Sequence, residues 1–284
     1  MSKIIQRLLV FFIGVPMLVI LIFYLPQKNH LAINIAAFLF SALGTLEFAG
    51  MLRKRDLPVT SVEALILGSL SPLAVLIGVN FYSGFDLLPL MFMAGVLWLL
   101  VSRVFSGSDK LRDSLNHITA GFAVMVYPGL FIVWLIKMGS IPHAELVILV
   151  FLVTVIANDS SAWAAGMLFG KGNRGLIPAS PNKSVVGFAG GLFASVLAGV
   201  GAVHFAPEAF TSKLLPSPLA GLILGLFSGA AATVGDLAES VMKRSSNIKD
   251  SGSIVPGRGG ALDSIDSIAL AAPVFYGLYR LLFG

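Results

Sequence analysis

Apolar residues fill this chain in long runs, broken by short polar segments. Nine such runs can be marked, near residues 8–25, 31–52, 61–82, 86–102, 118–136, 144–169, 184–206, 214–242 and 263–283. About 20 consecutive apolar residues span a bilayer as a helix. The pattern therefore predicts an all-α, polytopic integral membrane protein with about nine transmembrane helices. The first run is long and lacks a small-residue cleavage site, so it reads as an anchor rather than a signal peptide.

Composition agrees. The chain is 57% hydrophobic and only 12% charged, with a mean hydropathy of +0.92, whereas a soluble domain carries about 25% charged residues. Cysteine is absent, which excludes disulfides and thiolate metal sites. The net charge of +5 is explained by topology rather than by nucleic acid. Of the 19 Lys and Arg residues, fifteen fall at the N-terminus (Lys3, Arg7) and in the second, fourth, sixth and eighth loops. The odd-numbered loops hold only Lys28, Lys137 and Lys213. By the positive-inside rule the fifteen-charge side is cytoplasmic, which places the N-terminus inside and the C-terminus outside.

The polar residues divide the chain near residue 140. The first five predicted helices, within residues 1–140, are poor in acids, with Glu47 as the main intramembrane exception, and that half reads as a scaffold. Residues 141–284 hold nearly all the informative polar groups and read as a catalytic half. No internal repeat is evident, which argues against a transporter built on inverted repeats. Gly221, Gly225 and Gly229 recur every four residues, as do Gly166 and Gly170, a spacing that lets helix backbones approach closely.

Ionisable groups inside a membrane are costly and by default mark function. Asp159 lies in the sixth predicted helix. Asp236 and Glu239 share one face at the end of the eighth, three residues apart, and Asp263 and Asp266 repeat that spacing at the start of the ninth. Between these pairs runs SVMKRSSNIKDSGSIVPGRGGALDSID, residues 240–266, with cations at Lys243, Arg244, Lys249 and Arg258. It also holds Asp250 and a Pro256-Gly257-x-Gly259-Gly260 turn. Cations and close-approach glycines suit a polyphosphate, and clustered carboxylates suit the metal that travels with it. A second basic loop, with Lys183 and Ser184 ahead of the seventh helix, offers a cation and a hydroxyl at a helix N-terminus, a natural anion site. Simple helix-end roles for the acids remain an alternative on this reading.

These residues resemble a known family, the phosphatidate cytidylyltransferases (CDP-diacylglycerol synthases). Ser240, Lys243, Arg244, Lys249, Asp250, Gly252, Pro256, Gly257, Gly259, Gly260, Asp263 and Asp266 match its C-terminal signature at unbroken spacing. The GDLAES, SPNKS and Asp159-Ser160 elements are also similar to family elements. Two positions depart from the pattern: Arg258 stands where the family usually has His, and Ser264 where it usually has Arg.

The resemblance implies transfer of CMP from CTP to phosphatidate, giving CDP-diacylglycerol and pyrophosphate for phospholipid synthesis. It implies a multi-pass protein of the inner (cytoplasmic) membrane whose site faces the cytoplasm. Mg²⁺ is the implied cofactor, with a second cation left open. Asp236 and Asp263 are the expected metal ligands, joined by Asp266, Glu239 and Asp159. Lys249 and Asp250 are placed with Asp236 and Asp263 in catalysis. Lys183, Ser184, Ser240, Lys243, Arg244, Gly257, Arg258, Gly259 and Gly260 are expected to bind the triphosphate and the lipid headgroup. CTP, phosphatidate or a related lipid phosphate, and membrane lipids are the expected partners, with no nucleic acid; a homodimer is left open. The alternatives are a CTP-dependent enzyme for another lipid phosphate or alcohol, a non-enzymatic lipid or ion transporter, and an inactive paralogue.

Overall fold

The computed structural model describes residues 12–82, 84–104 and 107–284. Among them every regular element is helical. Nine apolar helices follow in chain order: α1 (Phe12–Tyr24), α2 (Gln27–Arg53), α3 (Ser61–Asn80), α4 (Leu87–Val101), α5 (Ser114–Met138), α6 (Ala144–Phe169), α7 (Val185–Phe205), α8 (Ser217–Ser245) and α9 (Leu262–Leu282). Seven of the described helices are long and apolar enough to cross a membrane; α1, described from Phe12 on, and α4 are shorter. The chain is thus an all-α, multi-pass membrane protein. Residues 8–11 of the first expected helix, and the charges at Lys3 and Arg7, lie outside the described residues.

Local chemistry sets the helix boundaries. Lys28, Asn29 and His30 have φ of 50°, 54° and 59°, a left-handed turn that L-residues rarely adopt. The right-handed part of α2 therefore begins only near residue 31. Thr60 caps α3 by accepting from the Glu63 N–H at 3.2 Å, Asp86 caps α4 at Leu88, and Ser184 caps α7 at Gly187; each satisfies an N–H that has no partner within its helix. The expected continuous helix over 118–136 is interrupted. Pro128 has no N–H and crowds the carbonyl four residues back, and α5 opens into a π-turn over Met125–Gly129 and a 3₁₀ turn over Leu130–Ile132. Ser41 of α2 donates its hydroxyl to the Pro128 carbonyl at 2.5 Å.

The chain forms two compact units. The first is Met1–Ser140 with Ser245–Ile265, the second Ile141–Arg244 with Asp266–Gly284. The scaffold and catalytic halves read from the sequence also divide near residue 140, but the polar loop after α8 belongs to the first unit.

In the first unit α2 packs on α3, and Phe48 meets Tyr127 edge-on at 5.4 Å. In the second, α6, α7 and α8 are drawn together along small residues. A Cβ on Gly199 would strike the Gly221 carbonyl, and one on Gly225 the Ser195 carbonyl; Gly187 and Gly191 likewise lie against the α6 backbone. The small-residue spacing seen in the sequence is therefore a packing seam. Helix α9 closes this unit through Phe275 on Phe151 at 5.2 Å and the Tyr279 hydroxyl, which donates to the Ala209 carbonyl at 3.0 Å.

Candidate functional site

The second unit contains a cleft of about 380 Å³ lined by residues of α6, α7, α8 and the loop before α7. Its lining includes the polar side chains of Asp159, Arg174, Lys183 and Asp236 and the apolar ones of Trp163, Met167 and Phe188. The Lys183 ammonium donates to Asp236 Oδ2, and both side chains are partly exposed, at 25% and 32%. A polar lattice behind the cleft holds the helices in register. Asn158, 1% exposed, donates to Ser195 Oγ at 2.9 Å and to the Gly229 carbonyl at 3.2 Å, and accepts from Thr233 Oγ1 at 3.1 Å. A buried amide satisfied on three sides locks its neighbours, including Asp159 one residue on, whose Oδ1 accepts from Ser267 Oγ at 3.4 Å.

One turn further along α8, fully buried Glu239 accepts from Lys243 Nζ at 2.5 Å. Asp266, 9% exposed, accepts from the Ser267 N–H at 2.6 Å. Gly235 lets the α9 backbone in, since a Cβ there would meet the Asp266 carbonyl at 2.5 Å. Ser240 is half-buried on α8. Arg244 donates from Nε to the Ala179 carbonyl at 3.3 Å and so tethers the loop that carries Lys183. Arg174 donates to the Gly166 carbonyl at 2.9 Å. The Ser184 hydroxyl lies in the cleft wall and is engaged in capping α7.

The first unit holds the remaining predicted residues. Val255 and Gly259 exchange backbone hydrogen bonds at 2.8 and 2.9 Å around Pro256-Gly257-Arg258. Pro at the second position and a glycine with φ of 74° at the third are the requirements of a type II turn. Gly259 follows with φ of 118°, also closed to most L-residues. Arg258 stands exposed on this turn, and Lys249 and Asp250 are exposed before it. Asp263 is bound into the same loop: its Oδ2 accepts from the Ser251 N–H, the Ser251 hydroxyl and the Gly260 N–H, each at 2.8 Å.

Glu47, which the sequence marks only as an exception within the scaffold half, lies in this cluster. Its Oε1 accepts from the Ala261 N–H at 3.0 Å, and its Oε2 from the Leu262 N–H at 2.9 Å and the Ser251 hydroxyl at 2.8 Å. Asn158, Thr233 and Arg174 are the other site residues that motif reading passed over. A polar side chain inside an apolar run was the available signal for Glu47 and Asn158.

The donor set toward a metal is oxygen only, as a hard cation requires. Within either unit, among the described residues, no three His, Asp or Glu side chains gather into a ready cage.

The chain is 35% identical over 250 residues to a phosphatidate cytidylyltransferase of Bacillus subtilis (strain 168), covering 86% of this chain and 88% of the relative. It is 30% identical over 288 aligned positions to a phosphatidate cytidylyltransferase of Chlamydia trachomatis serovar D, covering 98% and 93%. An uncharacterized protein of Escherichia coli K12, YnbB, is 32% identical over 213 residues, covering 72% and 67%. The family model described as the cytidylyltransferase family matches residues 5–282, and the chain belongs to that family.

Proposed function

We propose that the chain transfers CMP from CTP to phosphatidate, with Mg²⁺, at the cytoplasmic face of a bacterial inner membrane. A phosphatidate phosphate oxygen forms a bond to the α-phosphorus of CTP. The bond from that phosphorus to the oxygen bridging the β-phosphate breaks, and pyrophosphate leaves with the electron pair. The products are CDP-diacylglycerol and pyrophosphate. A phosphate nucleophile is already ionised at neutral pH, so no general base is called for; positioning and charge stabilisation supply most of the catalysis.

The observation that carries this reading is the Lys183–Asp236 pair in the wall of a cleft whose lining holds both charged and apolar side chains. A partly exposed ammonium held by a carboxylate is a charge that can be passed to an arriving phosphate while the carboxylate turns to a cation. Trp163, Met167 and Phe188 give the cleft apolar surface suited to a lipid or a base. In the second unit Lys183, Lys243 and Arg244 supply positive charge suited to phosphate, and in the first Lys249 and Arg258 do so on their own loop. Gly257 and Gly259 set the Arg258 turn. Asp236 in the second unit and Asp263 in the first are each assigned as a Mg²⁺ ligand, with Glu239, Asp266 and Asp159 orienting. When bound, the ion neutralises charge on the reacting phosphates.

The test is purified protein in detergent with CTP, a panel of lipid phosphates and lipid alcohols, and Mg²⁺ present or removed by chelation. Pyrophosphate release that depends on phosphatidate and on Mg²⁺ supports the proposal. Release with another lipid only, or none with any, refutes it. The cytoplasmic placement is tested in intact cells by single cysteines in this Cys-free chain, at exposed Ser253 and at exposed Thr211. An impermeant thiol reagent should label Thr211→Cys and spare Ser253→Cys; the reverse pattern overturns the topology.

A further inference from the structure

Helix α2 carries one acid, Glu47, in an otherwise apolar stretch. An acid at such a position is costly unless its charge is met, and here it is met entirely by the segment after α8. The Ala261 and Leu262 N–H groups belong to the entry of α9, where backbone N–H groups have no partners within the helix, and both point at Glu47, at 3.0 and 2.9 Å. The carboxylate thus meets the positive end of the helix dipole. The third donor, the Ser251 hydroxyl, is also 2.8 Å from Asp263 Oδ2. A serine has one hydroxyl proton, so Glu47 and Asp263 share it, and the position of one carboxylate depends on the other.

The surrounding glycines are fitted to this arrangement. A Cβ on Gly252 or on Gly260 would run into the Glu47 carboxylate, and on Gly260 into the Ser251 hydroxyl as well. Both conformations are open to other residues, since neither glycine has positive φ. Their small size is explained by the close approach of the acid.

We infer that Glu47 is a positioning residue for the transfer: it clamps the 251–262 segment onto α2 and, through Ser251, fixes the Asp263 carboxylate. The inference rests on the reading that this loop handles the reacting phosphates. A plain helix cap would make the same two backbone contacts without any bearing on the reaction, so the test must separate the two.

Glu47→Gln, Ser251→Ala and the double variant are purified, and the folded fraction is isolated by size exclusion. Each is assayed for CTP-dependent transfer to phosphatidate and for tryptic cleavage after Arg258. Glu47→Gln should lower kcat at least tenfold per folded molecule and speed the cleavage several-fold. Because both residues act through one bridge, the double variant should fall no more than about threefold below the worse single one, where independent effects would multiply. Ser251→Ala leaves both backbone contacts to Glu47 in place, so it carries the test if Glu47→Gln does not fold. Wild-type kcat and cleavage rate in the single variants, or multiplying losses in the double one, would overturn the inference. If the wild-type protein itself shows no transfer, the functional proposal fails; the cleavage rate of Glu47→Gln then decides alone whether the residue holds the loop.

Discussion

One pair of acids in each unit shows two different ways of neutralising a carboxylate. In the first unit Glu47 and Asp263 are met by backbone N–H groups and one serine hydroxyl. In the second, Asp236 is met by Lys183 and Glu239 by Lys243. A carboxylate held by backbone amides cannot exchange its partners without unfolding the loop that supplies them. One held by a lysine can, because the ammonium sits on a flexible four-carbon stem and will follow another anion. The first arrangement fixes a position, and the second stores a charge that can be redirected.

That contrast is broken most sharply at Asp236 and Asp263. Asp236→Asn should lower turnover by 10²-fold or more, the scale of removing a group that stabilises developing charge, while the melting temperature in detergent stays unchanged. Asp263→Asn should abolish turnover and also cost stability. Three donors converge on its Oδ2, and a hydrogen bond to a charged group contributes about 1.5–3 kcal/mol. Equal melting temperatures in the two variants would erase the distinction between fixed and exchangeable acids.

Next comes Gly260→Ala, whose added methyl would meet Ser251 and Glu47. It should lose at least tenfold in rate and some thermal stability, read by the same assays. Arg258, exposed on its turn, should behave unlike either acid. Arg258→Ala should weaken phosphate interaction by about 1.5–3 kcal/mol, roughly ten- to a hundredfold in kcat/KM, with no change in melting temperature. Arg258→His should keep part of the rate and gain activity as pH falls through about 6.5, where the imidazole acquires its charge; a flat pH profile would remove residue 258 from phosphate contact. The smallest effect is expected at Asp159→Asn, a loss of a few-fold, because it is assigned only an orienting role.

How much of this was visible in the sequence follows from the range of the contacts. The helices were legible because hydrophobic run length is local; the run from residue 31 matches the right-handed part of α2, while the left-handed turn before it was not marked. The break in α5 was not marked, although Pro128 was there to see. The turn around Arg258 was legible because Pro256, Gly257 and Gly259 carry their own dihedral preferences. The partners of Asp263 within the loop lie 12 or fewer residues away. Glu47 and Ser251 are 204 residues apart, and Asn158 and Thr233 are 75 apart. Nothing in either segment alone announces the other; only the folded backbone brings them together. The assignment of residues 245–265 to the first unit escaped the sequence for the same reason.

The central claim is that the α-phosphorus of CTP is the atom transferred. It is tested most directly by incubating the purified protein with phosphatidate, Mg²⁺ and CTP labelled at either the α- or the γ-phosphate, then separating lipid from aqueous products. The account predicts that the α-label enters the lipid as CDP-diacylglycerol and the γ-label leaves as pyrophosphate. A γ-label in the lipid fraction, or neither label there, would contradict it.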